Sequence, residues 1–296
     1  MIRFGIIGMS EGNGHPYSWS AICNGYDERS MADCPFPVIP EYLKEQEWPE
    51  ARLPGVEVTH VWTQDPAASA HVARSCNIRV VASAPEDMIG AVDAILLARD
   101  DAQNHARFAA PFLKQGLPVY IDKPIAHSRR NLDALRDLAT SEDRLFTCSA
   151  MRYAPELTIS DEDFDVLGEI RHIDIRVPKD WERYIIHGLE PVVAQVEALD
   201  RITDHVVLCS GNYHGLEIQW ASGVSMSLRA FGATPTGIAF RVFGEKANKL
   251  YEFRNPFGAF KSAIETFRDQ IRTGHSRVNW TDVEKIVEII ELGIHR

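Results

Sequence analysis

A glycine-rich segment follows the first apolar run of the chain. Residues 2–8 predict a buried β-strand, and the segment that ends this strand supplies Gly8, Ser10, Gly12, Asn13 and Gly14. Glycines let a backbone approach a pyrophosphate closely, and the N-terminus of a following helix favours its negative charge. The segment therefore predicts a dinucleotide-binding turn, in which Ser10 replaces the second glycine of the G-x-G-x-x-G pattern. A structural glycine turn is the alternative, and a P-loop is disfavoured because no GK[ST] sequence follows.

The end of the predicted second strand, residues 56–63, is the expected place for a side chain that binds the adenosine ribose. An acidic residue commonly accepts hydrogen bonds from the ribose there. Thr63 occupies this position, Asp65 follows two residues later, and no arginine is adjacent for a 2′-phosphate. We assign Thr63 to the cofactor site, and NAD and NADP both stay open.

The sequence Tyr-Ile-Asp-Lys-Pro at 120–124 carries a second candidate group. It resembles the Gfo/Idh/MocA family of sugar and inositol dehydrogenases, which has Glu-Lys-Pro there. Asp122 replaces the glutamate, whereas Lys123 and Pro124 are kept. The resemblance implies that these three residues contact the cofactor and that the Lys-Pro peptide bond is cis.

The fourth strand of the same family is also recognisable. Residues 93–98 together with His105 look like that strand and the helix after it, although Arg99 and Asp100 replace the usual Thr-Pro. The resemblance adds three residues to the predicted cofactor site, namely Ala98, Arg99 and His105.

The substrate domain of the family commonly carries an aspartate and a histidine four residues apart on one helix. This chain offers His187, but Arg183 stands four residues before it. Tyr184, His187 and Glu190 are spaced by three residues, which puts them on one side of a helix, where Glu190 can orient the imidazole. This spacing resembles family members with an Ile-His-x-x-Glu sequence.

Oxidation of a secondary alcohol needs a base for the hydroxyl proton while a hydride leaves the same carbon for a nicotinamide. We assign the base to His187, because an imidazole titrates near neutral pH. We assign to Lys123 a hydrogen bond to the same oxygen, where its charge stabilises developing negative charge. Taken alone, a histidine on such a helix is more often packed in the core, and a lysine before a proline is more often solvated. Only the occurrence of both residues together with the glycine turn favours a catalytic role.

Four further side chains are candidates for contacts with substrate hydroxyls, with a structural or surface role as the equal alternative. They are Arg152, Asp180, Tyr184 and Glu190. Arg152 looks like the family's arginine after the last Rossmann strand. Five other histidines lack the spacing of a metal site, and we predict no metal.

The predicted function is hydride transfer between NAD(P) and a secondary hydroxyl or ketone of a sugar, cyclitol or nucleotide-linked sugar. One alternative is a glycosidase that keeps NAD bound and oxidises its substrate transiently. Another is a cofactor-sensing regulator without catalysis. This alternative is favoured by the departures from the usual pattern at Ser10, Thr63 and Arg183. Retention of Lys123 and His187 argues against the regulator.

The elements that position these residues divide the chain into two predicted domains. Residues 1–150 alternate short β-branched runs with amphipathic helices, which predicts an α/β Rossmann domain with a doubly wound parallel sheet. Its predicted strands are 2–8, 56–63, 94–98, 118–121 and 145–149, and its helices include 66–75, 102–115 and 130–140.

Residues 151–296 predict an α+β domain for substrate binding, with a large, mostly antiparallel open sheet, because apolar and polar residues alternate along its strands. The predicted strands are 170–177, 215–220, 224–230, 238–243 and 249–253, with helices at 186–199 and 257–272. The final helix is predicted to open on a capping box from Thr281 to Glu284. Alternating apolar residues on an open sheet face need a cover, so we expect a homodimer or homotetramer through this sheet.

Composition excludes several classes of partner. The net charge of −11 argues against nucleic acid, and the longest clear apolar run is too short to cross a membrane. The first strand begins directly after Met1, which leads us to expect a cytoplasmic protein without a signal peptide. The five cysteines are odd in number and widely spaced, so we expect reduced thiols.

The proline-rich segment 27–55 is long for a connection inside a compact domain. We expect it to be either a cleft-lining lid or a packing element.

Overall fold

The computed structural model describes residues 1–294, which form two compact units. The first unit comprises Met1–Ala126, Arg130–Cys148 and Pro256–Val278. The second comprises His127–Arg129, Ser149–Asn255 and residues 279–294. This division differs from the single boundary expected at residue 150, because one segment of the second half of the sequence packs within the first unit. Residues 295 and 296 of the predicted second domain lie outside the described residues.

The strands of the first unit are β1 (Ile2–Ile7), β2 (Val56–Trp62), β3 (Val80–Val81), β4 (Ala94–Leu97), β5 (Val119–Ile121) and β6 (Leu145–Thr147). Those of the second unit are β7 (Ile170–Val177), β8 (Ile202–Ser210), β9 (Tyr213–Trp220), β10 (Ser225–Ala230), β11 (Ala239–Gly244) and β12 (Asn248–Glu252). The predicted strands are all present, within a few residues of their expected ends. The sequence missed β3 and β8, and both of these strands are mostly exposed and show no alternation of buried and exposed residues.

The α-helices are α1 (His15–Asn24), α2 (Glu28–Met31), α3 (Val38–Lys44), α4 (Pro66–Ser75), α5 (His105–Leu113), α6 (Arg129–Arg136), α7 (Asp161–Leu167), α8 (Trp181–Val193), α9 (Pro256–Thr273) and α10 (Trp280–Ile294). Short 3-10 turns lie at Pro85–Met88, Ala102–Asn104, Glu142–Arg144, Ala150–Tyr153 and Pro155–Leu157. The predicted helix 102–115 is thus a 3-10 turn followed by α5.

The predicted first residues of two helices were wrong. Helix α8 begins at Trp181 and not at residue 186, because the Asp180 side chain accepts a hydrogen bond from the Arg183 N–H and caps it. Helix α10 begins at Trp280, where Asn279 Oδ1 accepts from the Thr281 N–H at 3.1 Å. Thr281 therefore lies inside the helix, and the predicted capping box from Thr281 to Glu284 does not form its start.

The first unit contains a six-stranded parallel sheet in the order β3-β2-β1-β4-β5-β6. Ile6 on β1 pairs with Val61 on β2 and with Leu96 on β4. From β1 to β3 each new strand is added on one side of β1, and from β4 to β6 each is added on the other side. The strand order therefore reverses between β1 and β4, and ligands of such sheets bind at this switch point, outside the carboxyl ends of the strands. The predicted Rossmann fold is confirmed.

Helix α9 completes the core of the first unit. Phe267 is fully buried, and its ring lies 5.8 Å from that of Phe4, 5.7 Å from Tyr120 and 5.4 Å from Phe146. Aromatic burial of this kind contributes strongly to stability. This packing explains why Pro256–Val278 belongs to the first unit although it follows Ser149–Asn255 of the second unit in the sequence.

The second unit contains a mixed, mostly antiparallel sheet in the order β12-β11-β7-β10-β9-β8, with β7 and β10 parallel. Helix α8 packs on one face of this sheet. Gly188 makes that approach possible, because a Cβ at this position would lie only 2.5 Å from Ile175 Cγ2. The fold class predicted for this half of the chain is confirmed.

The opposite face of the second sheet is exposed but not uniformly apolar, which corrects the expected pattern. One row across it reads Leu250, Arg241, Asp174, Ser227, Glu217 and Val206. Arg229 forms ion pairs with Asp174 and Glu217 in the middle of the face. The exposed apolar side chains lie on the two outer strands.

The proline-rich segment packs on the body of the first unit. A Cβ on Gly14 would lie 2.6 Å from Ile39 and 2.7 Å from Phe36. The ring of Trp48 meets that of Phe257 edge to face at 5.9 Å, and the Leu53 N–H donates to the Ile22 carbonyl. These contacts support the packing role among the two alternatives.

No helix among residues 1–294 combines the length and the apolarity that a membrane crossing requires. The five cysteines are free thiols, and four of them are buried.

Truncation of Phe267 should destabilise the first unit. We expect Phe267→Ala to lower the free energy of unfolding by about 3–5 kcal/mol, because the cavity would lie among three other aromatic rings. Urea unfolding followed by circular dichroism measures this. Ser262→Ala on the same helix is the control, with an expected change within about 0.5 kcal/mol. Equal effects of the two variants would contradict the assignment of α9 to this core.

Candidate active site

The glycine turn leaves β1 at the switch point of the first sheet. Gly8 packs against the ring of Pro16, where a Cβ would collide, and Gly12 adopts a φ of +76° with open space around its Cα. Helix α1 begins directly after Gly14. The lack of a side chain at Gly14 is explained by the approach of Phe36 and Ile39, which the sequence did not indicate.

The end of β2 supports the turn through a residue that the sequence analysis did not select. The Gln64 amide accepts from the Met9 N–H at 2.9 Å and donates to the Met9 carbonyl. Thr63 Oγ1 instead donates to the Asp65 carbonyl at 2.7 Å, and the Asp65 carboxylate caps α4. Thr63 is buried at the predicted position, and its hydroxyl contacts the Asp65 carbonyl and, at 2.8 Å, the Ser69 hydroxyl of α4.

Ser10, Asp100 and Lys123 form a buried polar group across the turn. Ser10 Oγ donates to Asp100 Oδ1 at 2.5 Å and accepts from the Asp100 N–H at 3.1 Å. The Lys123 ammonium lies 3.5 Å from the other oxygen of the same carboxylate. The structure thus brings together the unusual serine of the turn and the predicted catalytic lysine, with Asp100 between them.

Asp122 organises the other side of the turn. Its carboxylate accepts from Asn13 Nδ2 at 2.8 Å and from the Lys123 N–H at 2.8 Å, and lies 2.6 Å from His15 Nδ1. Asn13 Oδ1 also accepts from the N–H of His15, the first residue of α1, at 2.8 Å. Asn13 and Asp122 therefore fix the turn relative to the loop that carries Lys123.

The remaining predicted cofactor residues lie in the loops after β4 and β5. The Ala98 N–H donates to the Ile7 carbonyl, and Arg99 pairs with Asp101 at 2.6 Å. The buried ring of His105 has Nδ1 at 3.0 Å from the Ile125 carbonyl and Nε2 at 2.7 Å from the Arg99 carbonyl. The ring thereby connects the two loops, and the Lys123–Pro124 bond is cis, as predicted.

These features fit a bound dinucleotide. A glycine in the left-handed region, with open space where a side chain would stand, lies at the carboxyl end of β1. A helix N-terminus follows it, and the neighbouring loop after β4 lies across the switch point. Backbone N–H groups at such a turn and a helix N-terminus are suited to a pyrophosphate.

Helix α8 of the second unit carries the predicted base. His187 is almost fully buried, and the ring of Tyr184 meets it edge to face at 5.2 Å between centroids. The three-residue spacing thus places these two side chains together, as expected. Tyr184 also contacts Lys179, which donates to its hydroxyl.

Ser149 contacts the imidazole and was missed by the sequence analysis. Its Oγ lies 2.9 Å from His187 Nδ1. The Glu190 carboxylate accepts from the Ser149 N–H at 2.6 Å. Glu190 was expected to orient the imidazole, and the structure shows it holding the backbone of the serine that contacts the ring.

Glu190 has a strongly perturbed environment. Burial raises the pKa of Glu190 to about 7, against the opposing effect of the Arg152 charge. Arg152 lies 3.5 Å from Glu190 and 2.6 Å from Asp282, so its charge is shared between two carboxylates. Glu190 therefore titrates close to neutral pH.

Asp180 is engaged at the start of α8. Its carboxylate caps α8 and also binds the Arg183 guanidinium at 2.8 Å. The same pair explains why arginine stands four residues before His187.

Residues that the sequence analysis missed share one positional signal. Asp100, Gln64 and Ser149 each follow the carboxyl end of a parallel strand, namely β4, β2 and β6. Ligand contacts in open α/β sheets collect at these ends. This rule would have selected them, whereas motif matching did not.

Comparison with known proteins agrees with the fold and the turn. A family model described as "Oxidoreductase family, NAD-binding Rossmann fold" (Gfo/Idh/MocA) matches residues 2–149. The chain belongs to this family, and the resemblance drawn from the sequence is confirmed. It is an NAD(P)-binding oxidoreductase. No curated protein matches the sequence significantly.

Solved structures of similar fold include several dehydrogenases and a reductase. A myo-inositol 2-dehydrogenase from Lactobacillus plantarum has a TM-score of 0.73 and 14% identity, with 98% of this chain and 95% of that chain covered. GenD2 from gentamicin A biosynthesis, in complex with NAD, has a TM-score of 0.73 and 15% identity over 99% and 93%. Biliverdin reductase from Synechocystis sp. PCC 6803, with biliverdin and NADP+, has a TM-score of 0.71 and 14% identity over 99% and 98%. At this identity the likeness shows the fold alone.

The raised pKa of Glu190 predicts a pH dependence of stability. Between the ordinary 4.5 and about 7, the folded protein binds more protons than the unfolded chain, so the contribution of Glu190 to stability falls as pH rises through this window. Glu190→Gln removes the titration. We expect the variant to gain stability relative to the wild type from about pH 4.5 to about pH 7, with a constant difference above.

Urea unfolding at a series of pH values measures this difference. Loss of the Arg152 contact adds an offset that does not depend on pH here, because arginine stays charged throughout. Glu41→Gln on the surface controls for the removal of one carboxylate. A stability difference between Glu190→Gln and the wild type that does not change with pH would contradict a raised pKa of Glu190.

Proposed function

We propose that this oxidoreductase transfers a hydride between NAD(P) and a secondary hydroxyl or ketone of a sugar, cyclitol or nucleotide-linked sugar. The observation that supports this reaction best is the buried His187 imidazole, held on one side by Ser149 and on another by the Tyr184 ring. Alcohol oxidation needs a proton acceptor that works near neutral pH, and an imidazole is suited to it. The nicotinamide, when bound, supplies the hydride acceptor.

His187 is the proposed base. Nδ1 faces Ser149, and we assign proton exchange with the substrate hydroxyl to the other ring nitrogen, Nε2. A positioned base of this kind contributes roughly 10²–10⁴-fold to a rate.

Lys123 is the proposed donor to the reacting oxygen. Its ammonium is almost fully buried beside the Asp100 carboxylate, which balances its charge inside the first unit. A charged donor in a low-dielectric environment stabilises an alkoxide more strongly than it would in water. Lys123 is therefore assigned to electrostatic stabilisation, and proton transfer is assigned to His187.

Among the candidates for substrate hydroxyls, Tyr184 is favoured because its ring packs on the proposed base. Arg152, Asp180 and Glu190 each have an ion-pair partner in the second unit. We propose that these three side chains shape the site by holding α8 and its surroundings. The proposed cofactor contacts are the residues of the glycine turn and the loops after β4 and β5.

Nicotinamide fluorescence and thermal shift with NAD(H) and NADP(H), followed by turnover assays on inositols, sugars and nucleotide sugars, test the proposal. We expect the wild type to bind at least one cofactor and to reduce or oxidise a polyol. His187→Gln should retain cofactor affinity and lose roughly 10²–10⁴-fold in kcat. Lys123→Ala should lower kcat as well, because it removes a charge from the reacting oxygen.

His205→Ala is the matched control, since His205 lies on the exposed strand β8. Its kcat should equal that of the wild type. Cofactor binding with turnover of a tetrapyrrole and of no polyol would contradict the CH–OH assignment. Net glycoside hydrolysis without accumulation of NADH would favour the glycosidase, and cofactor binding without any turnover would favour the regulator.

We also propose that the second sheet mediates a homodimer or homotetramer. Val206, Leu208 and Leu250 are exposed on the outer strands, while the ion pairs of Arg229 with Asp174 and Glu217 occupy the middle of the same face. A self-complementary face of this kind suits a two-fold interface, in which each outer strand meets its counterpart.

Sedimentation of the wild type at micromolar concentration should give twice or four times the mass of the chain. Val206→Arg with Leu208→Arg should shift the protein toward the monomer, because the pair places two charges at the apolar rim. Val166→Arg, at an exposed valine of α7, is the control and should leave the mass unchanged. A wild type that sediments as a monomer would refute this assembly.

A further inference from the structure

Ser149 is a buried serine with more contacts than a local cap requires. It is fully buried, and its hydroxyl caps the short turn Ala150–Tyr153 by accepting from the Met151 N–H at 3.4 Å. The same oxygen lies 2.9 Å from His187 Nδ1, which is the shorter of the two distances. A capping role alone leaves this second contact unexplained.

The backbone of Ser149 is also fixed. Its N–H donates to Glu190 at 2.6 Å, and Glu190 is held in turn by Arg152 and by its own place on α8. The hydroxyl therefore stands at a defined point relative to α8, which carries both Glu190 and His187. The ring of Tyr184 limits the imidazole from another direction.

A hydroxyl can accept and donate, so its other contacts decide what it offers to the ring. Ser149 Oγ lies 3.3 Å from Met151 Sδ, which can receive the hydroxyl hydrogen. A lone pair of the oxygen can then accept from Nδ1–H. This arrangement leaves Nε2 unprotonated in the neutral ring, and it persists after Nε2 takes up a proton.

We propose that Ser149 is the positioning residue of His187, and that it holds the imidazole with Nδ1–H toward the serine and Nε2 as the proton acceptor. This inference rests on the proposed function, in which His187 is the base. The hydroxyl here takes the orienting place that a carboxylate holds in many catalytic histidine pairs. Ser149 itself needs no contact with the substrate.

The experiment compares Ser149→Thr with Ser149→Val in the full chain. The two side chains have similar shapes and differ in the hydroxyl, so that a packing effect would move both variants alike. Ser160→Ala, at the serine that caps α7, controls for loss of a cap elsewhere in the second unit. Selective ¹⁵N labelling of histidines, with His187→Gln for assignment, reports which ring nitrogen of His187 carries the proton.

We expect the wild type and Ser149→Thr to show a neutral His187 ring protonated at Nδ1, and Ser149→Val to show a mixture or the other tautomer. With the preferred polyol, kcat should fall roughly 10–100-fold in Ser149→Val, with the KM for the cofactor unchanged and with most activity kept in Ser149→Thr. The pH profile of kcat should shift in Ser149→Val alone. Tyr184, which contacts the ring, its partner Lys179, and the charged network of Glu190, Arg152 and Asp282 that holds the Ser149 backbone are unaltered in both variants.

The two proposals fail in different ways. A wild type without nicotinamide turnover would sink the proposed function, and the tautomer measurement would still decide the role of Ser149. The inference is overturned if the valine and threonine variants give the same His187 tautomer as the wild type. It is also overturned if both lose activity equally, since this result would assign Ser149 to packing.

Discussion

Charged and polar side chains that leave water have to be paired inside the protein, and each part of the candidate site is arranged around this constraint. Asp100, Asp122 and Lys123 are each almost fully buried in the first unit. An unpaired carboxylate at such a position would cost several kcal/mol, on the order of the stability of a whole domain, or would take up a proton. The glycine turn and the loop after β5 are therefore held to each other by the partners of these two aspartates.

The same constraint explains why the departures from the family pattern occur together. Ser10 stands where a glycine is usual, and Arg99 and Asp100 stand in place of the usual Thr-Pro. The structure joins Ser10 and Asp100 by a hydrogen bond of 2.5 Å, and Lys123 neutralises the carboxylate from the other side. Read singly, each substitution weakens the match to a dinucleotide site. Together, Ser10 and Asp100 form a buried hydrogen-bonded pair that joins the glycine turn to the loop after β4.

Periodicity was enough to predict the architecture, because buried strands and amphipathic helices are local patterns. It failed for β8, whose residues are exposed on both sides and carry no alternation. The packing of α9 in the first unit was not predicted either, because the amphipathic pattern of a helix does not identify the core against which it packs. Its Phe267 finds aromatic partners more than a hundred residues away in the sequence. The side-chain pairs of the candidate site have the same character, as Ser10 meets Asp100 and Ser149 meets His187 only after folding.

Glu190 shows how the balance between burial and pairing sets a chemical property. Arg152 lies closer to Asp282 than to Glu190, so the attraction that reaches Glu190 is weaker than a dedicated ion pair would give. Burial is the larger effect, and the pKa of Glu190 rises to about 7. A carboxyl group with this pKa changes its charge near neutral pH, one helical turn from His187 and on the same helix. The Ser149 N–H can bind either form of the carboxyl, which keeps the serine in place while the charge of Glu190 varies.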